Sequence, residues 1–291
     1  MRYLYYPGCS AEATGKAYDV STRAVFAKLG VELEELDDWN CCGATSYFSV
    51  REMESFAIAA RNLSIAQSQG DDDLCVICNA CYTTLAKTNR YMNESPEVFK
   101  AVTGALGAVG RAYDGKKPVR HVMDILVNDI GLEAIADKVT RRLTGLRVAP
   151  YYGCQFSRPM GTFDDVQFPT TMDRLFETLG ADVITEYDAK TDCCGGMMML
   201  TKAEGALRLC LELLTAAEQY GAQVIVAACP LCEMNLEAYQ PKVNAMFGTD
   251  FNIPVLYFTQ LAGLALGVDP RKLAIDRQVI SCDGLLAAIP A

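Results

Sequence analysis

The chain has 291 residues, 51% of them apolar and 21% charged, with a formal charge of −10. That is enough apolar material for one large or two ordinary globular domains, and the acidic balance excludes nucleic acid as the main partner, because phosphate binding needs a basic face. No apolar run reaches the roughly eighteen residues of a spanning helix, and "MRYLYYPGCS" lacks the basic-then-apolar order of a signal peptide, so a cytoplasmic chain with no membrane span is expected.

In chain order, strands and helices alternate. "RYLYY" is a β-rich run that ends at Gly8-Cys9. "STRAVFAKLG" reads as an amphipathic helix stopped by Gly30, and "VELEEL" as a short strand leading to Cys41-Cys42-Gly43. Between Arg51 and Gln69, Phe56, Ala59, Ala60 and Leu63 recur at helical spacing, and "LCVI" then looks like a buried strand running into Cys78 and Cys81. After the loop "GRAYDGKKP", the Pro-led apolar segment "KPVRHVMDILVNDIG" closes this half. The order then begins again. "LRVAPYY" leads to Gly153-Cys154, "TTMDRLFETLG" is the helix, "ADVITE" the strand, and Cys193-Cys194-Gly195 the turn. Leu207, Cys210, Leu211 and Leu214 mark the next helix, "QVIVAA" the buried strand before Cys229 and Cys232, and "IPVLYFTQLAGLALG" the closing segment. The repeat predicts an α/β fold of two pseudo-symmetric domains, residues 1–145 and 146–291, each a small mainly parallel sheet flanked by helices. In parallel sheets functional groups collect at the carboxyl ends of strands, so the three cysteine elements of each half are expected to converge.

Thirteen cysteines are many for a cytoplasmic chain, and the odd total disfavours a fully paired disulfide framework. A shift of 151 residues superposes Gly70 on Gly221, Cys78 on Cys229 and Cys81 on Cys232, but places Cys75 on Val226. Cys75 is therefore read as a buried strand residue. Cys210 falls opposite Ala59 on an apolar helix face, and Cys282 has no counterpart, so these three are read as structural thiols. Five remain in each half: Cys9, Cys41, Cys42, Cys78 and Cys81, then Cys154, Cys193, Cys194, Cys229 and Cys232. The first interval is 31 residues in one half and 38 in the other, and the second is 35 and 34. Five thiols from three strand ends suit zinc poorly, since structural zinc takes four ligands. A cubane iron–sulfur cluster also takes four, whereas thiolate richness at this level favours a larger or more open iron–sulfur assembly. A metal-free thiol switch needs two reactive sulfurs rather than five.

The doubled order Cys, CCG, CxxC resembles the cysteine-rich CCG domains of the B-type subunits of heterodisulfide reductase over almost the whole chain. The resemblance implies two noncubane 4Fe–4S clusters. Cys9, Cys41, Cys42, Cys78 and Cys81 would bind the first, and Cys154, Cys193, Cys194, Cys229 and Cys232 the second. It also implies a catalytic subunit that reduces a disulfide held between the clusters, in methanogen members the disulfide of coenzyme M and coenzyme B. Electrons would come from an A-type flavoprotein subunit through a C-type iron–sulfur subunit. Two clusters giving one electron each match a two-electron cleavage, and holding both sulfurs in place makes the step near-unimolecular. An open iron would stabilise the developing thiolate as a Lewis acid does.

Members of that family often carry His after the second Gly-Cys, where this chain has Gln155. The one histidine, His121, stands opposite Tyr257 in the repeat and is read either as a core residue or as an acid–base group. Lys16 and Arg158 lie in the two Gly-Cys loops and are candidate contacts for an anionic disulfide or thiol substrate, set against plain surface solvation. Two further readings fit the same cysteines: oxidation of a carrier-bound thiol or persulfide, and electron transfer inside a larger oxidoreductase with no substrate of its own.

Overall fold

The computed structural model describes residues 1–44, 46–161 and 163–289, with the backbone alone at 46 and 47. Each half folds around one four-stranded parallel sheet. The first is ordered β2-β1-β3-β4, from β1 (Arg2–Tyr6), β2 (Glu32–Glu35), β3 (Leu74–Val76) and β4 (Val119–His121). The second is ordered β6-β5-β7-β8, from β5 (Arg147–Tyr151), β6 (Asp182–Val183), β7 (Val224–Ala227) and β8 (Val255–Tyr257). The registers correspond: Arg2 pairs with Glu32 and Arg147 with Asp182, while Val76 pairs with His121 and Ala227 with Tyr257. The two α/β halves are pseudo-symmetric.

The strand sequences show why both sheets are sandwiched. In β1, Tyr3 and Tyr5 belong to one apolar core and Leu4 and Tyr6 to another, as the two-residue alternation of a strand requires. In β7, Val224 and Val226 enter the first core, Ile225 and Ala227 the second. Both cores draw on both halves. The helix Lys16–Leu29 of one half packs on the helix Phe258–Ala265 of the other.

The contacts across this seam are specific. Tyr18 stacks on Tyr257 at 4.4 Å between centroids, and its hydroxyl donates to the Ala228 carbonyl at 3.2 Å. The Ser21 and Thr259 hydroxyls share a hydrogen bond of 2.6 Å. The converse stack sets Phe163 of the second half on His121 of the first at 5.9 Å, so each half lends a ring to the other's closing strand.

Two elements differ from the sequence expectation. The closing Pro-led segments each contribute a fourth strand, three residues long, before turning into helix. So short a strand has no periodicity to read. The strand expected over "ADVITE" is reduced to Asp182–Val183, because Thr185 and Glu186 leave the sheet to line a surface cavity. No helix among the described residues is long and apolar enough to cross a membrane.

Candidate functional site

All three cysteine elements of each half follow the carboxyl ends of strands: Cys9 after β1, Cys41-Cys42 after β2, and Cys78 after β3, with Cys154, Cys193-Cys194 and Cys229 after β5, β6 and β7. β1 and β5 lie where the chain reverses its direction of winding, the place where open parallel sheets form their sites. Cys78 and Cys229 are N-caps of the helices Asn79–Glu94 and Pro230–Glu237, which sets their sulfurs at helix N-termini, where negative charge is favoured.

In the first set, Cys42 Sγ lies 3.1 Å from Cys81 Sγ, both buried. Cys41 has Cys42 and Cys9 as neighbours, and these push its thiol well below the ordinary range, while the exposed Cys9 is raised chiefly by Cys41. The Tyr6 hydroxyl donates to the Asn40 carbonyl at 2.8 Å, just before the CC pair. Asn62 grips the same residue twice, accepting from the Asn40 N–H and donating to its carbonyl, each at 2.9 Å.

The second set repeats the plan. Cys194 Sγ lies 3.5 Å from Cys232 Sγ. Cys193, beside Cys154, is lowered to about 6, while the exposed Cys154 is raised chiefly by Cys193. The Tyr151 hydroxyl donates to the Asp192 carbonyl at 2.6 Å. The sets meet where Cys78 lies against Cys229: this neighbour lowers Cys78, while at Cys229 the lowering by Cys232 is outweighed by Cys78 and burial, which push it up to about 12.

Two glycine pairs make room for this. A Cβ on Gly8 would stand 3.2 Å from Cys81 Sγ and one on Gly153 3.1 Å from Cys232 Sγ, at φ of +77° and +67°. In the CCG turns, Gly43 and Gly195 have φ of +83° and +87°, and a Cβ on Gly195 would lie 2.8 Å from that of Ala206.

Among the described residues, no three or more His, Cys, Asp or Glu side chains are grouped to hold a single metal ion. The ten thiols are instead spread as linked pairs over three loop ends per half. That arrangement, with close-approach glycines behind two of the sulfurs and a lowered thiol at Cys41 and at both Cys193 and Cys194, fits a multinuclear thiolate-bound group better than a mononuclear site.

The remaining candidates fall in different places. Lys16 opens the helix Lys16–Leu29 and ion-pairs with Asp19 at 3.0 Å. Arg158 donates to the Thr191 carbonyl at 2.9 Å, two residues before Cys193. His121 is fully buried, its Nδ1 accepts the Met123 N–H at 3.2 Å, and burial lowers its pKa to about 3 despite the adjacent Ile77 backbone. Cys75 is buried in β3, and Cys210 points its thiol at the Cys194 and Asn235 carbonyls, each at 3.5 Å. Cys282 is buried as the N-cap of the last helix, Asp283–Ala288.

A cavity of about 500 Å³ lies between the halves, lined by Ala44, Thr83, Lys87, Gln155 and Met160 among others, and neither Lys16 nor Arg158 lines it. A larger one, about 790 Å³, on the second half contains none of the ten cysteines. The residues that sequence reasoning missed are Asn62, which braces the first CC turn, and Asn235, which braces the second. Each is a polar residue on an otherwise apolar helix face, and that is the signal that marks them.

The family described as "Cysteine-rich domain" (CCG) matches residues 3–86 and 148–237. The B-type subunit of the Ferredoxin/F(420)H(2)-dependent CoB-CoM heterodisulfide reductase of Methanosarcina acetivorans is 32% identical, covering 98% of this chain and 95% of the relative. A protein of Archaeoglobus profundus, named as similar to the B-type subunit of heterodisulfide reductase, is also 32% identical, over 94% and 93%. The 8-methylmenaquinol:fumarate reductase membrane anchor subunit of Wolinella succinogenes is 27% identical, over 97% and 98%. Among solved structures, a hypothetical protein from Helicobacter pylori shares the fold with a TM-score of 0.78 at 13% identity, covering 96% of this chain and 52% of that one. The chain belongs to the family of heterodisulfide reductase B-type subunits, with two tandem CCG cysteine-rich domains.

Proposed function

We propose that this chain is the catalytic iron–sulfur subunit of a heterodisulfide reductase-type complex. In this reading Cys9, Cys41, Cys42, Cys78 and Cys81 hold one noncubane 4Fe–4S cluster, and Cys154, Cys193, Cys194, Cys229 and Cys232 hold a second. The domains are residues 1–145 and 146–291. The observation that carries it is the meeting of the two five-cysteine sets at Cys78 and Cys229, each after the third strand of its own sheet, in two sheets of equivalent order. When bound, the clusters would supply one electron each and an iron able to take a departing sulfur.

The chain's own part is to bind and to orient. Gly8 and Gly153 let the backbone pass close to Cys81 and Cys232. The buried rings of Tyr18, Tyr257 and Phe156, with the half-buried Phe163, fix the angle between the halves. The cavity at Gln155 is the candidate entrance for a disulfide or thiol substrate, with Lys87 at its wall. His121, neutral and enclosed by rings, serves packing in this account rather than proton transfer. Partners would be a C-type iron–sulfur subunit and an A-type flavoprotein, with the chain in the cytoplasm.

Oxidised, anaerobically reconstituted protein tests this by EPR, with and without a panel of thiols, alongside reduction of the matching disulfides. Altered paramagnetic signals on thiol addition and disulfide turnover are expected. Unchanged signals and no turnover would leave the second reading, electron transfer inside a larger oxidoreductase. That reading draws on the Wolinella relative, whose name places it in a quinol:fumarate reductase.

A further inference from the structure

The two five-cysteine sets share a plan but differ in what stands behind the CCG turn. In the second half, Asn235 of the helix Pro230–Glu237 is fully buried. Its side-chain amide nitrogen lies 3.1 Å from the Cys194 carbonyl, 3.1 Å from the Gly196 carbonyl and 3.6 Å from Cys194 Sγ. These acceptors fix the orientation of the amide, because the flipped form would aim its oxygen at two carbonyl oxygens and a sulfur. Asn235 Oδ1, facing the other way, has no hydrogen-bond partner. The shift of 151 residues that superposes Cys81 on Cys232 puts Thr84 at this position in the first half. Thr84 Oγ1 is turned back along its own helix to the Ala80 carbonyl at 2.8 Å. The first CC turn is held from elsewhere, by Asn62 on the Asn40 backbone, and Asn62 reaches no sulfur. Ser55 Oγ lies beside Gly43 but makes no hydrogen bond. Among the described residues, no side-chain amide is within reach of Cys42 Sγ.

We infer that Asn235 is a positioning residue that makes the two halves electronically unequal, by raising the reduction potential of the cluster held by the second five-cysteine set relative to the first. An N–H aimed at a ligand sulfur stabilises the electron-rich, reduced form more than the oxidised one, and hydrogen bonds to ligand sulfurs are one of the levers that set cluster potentials. Burial strengthens the effect, because no water competes for the sulfur. An electron entering the protein would then settle first in the second half, and the two electrons of a disulfide cleavage would be held at different levels. This inference rests on the reading that each set holds an iron–sulfur cluster.

The test is an EPR-monitored potentiometric titration of the full reconstituted chain, with Cys194→Ala used to assign which midpoint belongs to the second half. Iron content of the unmodified protein, measured first, tests the proposed function separately. Two resolved midpoints are expected, the second-half one higher. Asn235→Leu should lower that midpoint alone, by a tenfold change in the one-electron equilibrium, about 59 mV. Thr84→Asn should raise the first-half midpoint and narrow the gap. If Asn235→Leu keeps its iron and neither midpoint moves, or both move together, the inference is wrong. Should that variant lose iron, Thr84→Asn decides: a raised first midpoint supports the inference, and an unmoved one overturns it.

Discussion

Gly8 and Gly153 stand directly before Cys9 and Cys154, with positive φ and with the Cys81 and Cys232 sulfurs only 3.2 and 3.1 Å from where a Cβ would stand. Gly153→Ala should therefore cost roughly 1–2 kcal/mol for the left-handed backbone alone. It should also displace Cys232. Iron bound by the second half should fall sharply while the first half keeps its own, as read by iron content and EPR. Cys75 gives the opposite expectation. It is fully buried in β3, and the other half has Val226 at the same place. Cys75→Val should cost less than about 1.5 kcal/mol in a denaturant titration. Iron content should be unchanged, and any loss of iron in this variant would remove Cys75 from the structural class.

At the scale of elements, the helix that follows each CxxC does different work in the two halves. In the second, Glu233 next to Cys232 is buried, accepts from the Tyr257 hydroxyl at 2.9 Å and from Gln278 at 3.0 Å, and has Glu237 close by. Burial, with help from Glu237, pushes its pKa from 4.5 to about 8. Below 4.5 the folded and unfolded chains both carry the proton. Between 4.5 and about 8 the unfolded chain releases it and the folded one keeps it, so stability falls as the pH rises through that window. The slope from this group is roughly 1.4 kcal/mol per pH unit. Glu233→Gln should flatten that part of the stability curve, measured by chemical denaturation between about pH 5 and 8, and an unaltered slope would contradict the assignment.

Much at this scale was legible in the sequence. The repeated strand, helix and cysteine order indicated two parallel sheets, because period-two and helical patterns differ and Gly stops recur. The three-residue strands β4 and β8 left no pattern to read. The tasks of Asn62 and Asn235 depend on where one amide points, and the repeat does not encode that, since position 84 holds Thr where position 235 holds Asn.

At the scale of the whole molecule, the halves do not stand as independent units. Both apolar cores take residues from both halves, and hydrogen bonds cross the seam on both sides of the cysteines. Asn79 donates to the Tyr152 carbonyl at 3.1 Å, Thr83 to that of Gln155 at 3.3 Å, and the Thr140 and Arg141 N–H groups to that of Ala265 at 3.0 Å. Unfolding should be a single transition, with far- and near-ultraviolet circular dichroism coinciding. Tyr18→Ala, which removes both the stack on Tyr257 and the bond to Ala228, should lower the unfolding free energy by roughly 3–5 kcal/mol in a denaturant titration. None of these cross-seam pairs was visible in the sequence, which aligns the halves with each other but does not say which faces meet.

In the proposed function, ten of the thirteen cysteines form two equivalent five-thiol sites. Iron and inorganic sulfide content of the anaerobically reconstituted chain, beside Cys42→Ala and Cys194→Ala, tests it most directly. About eight irons per chain are expected in the unmodified protein and about four in either variant, each variant losing one EPR component. An unmodified chain with little or no iron, or a Cys42→Ala protein that retains its full complement, would contradict it.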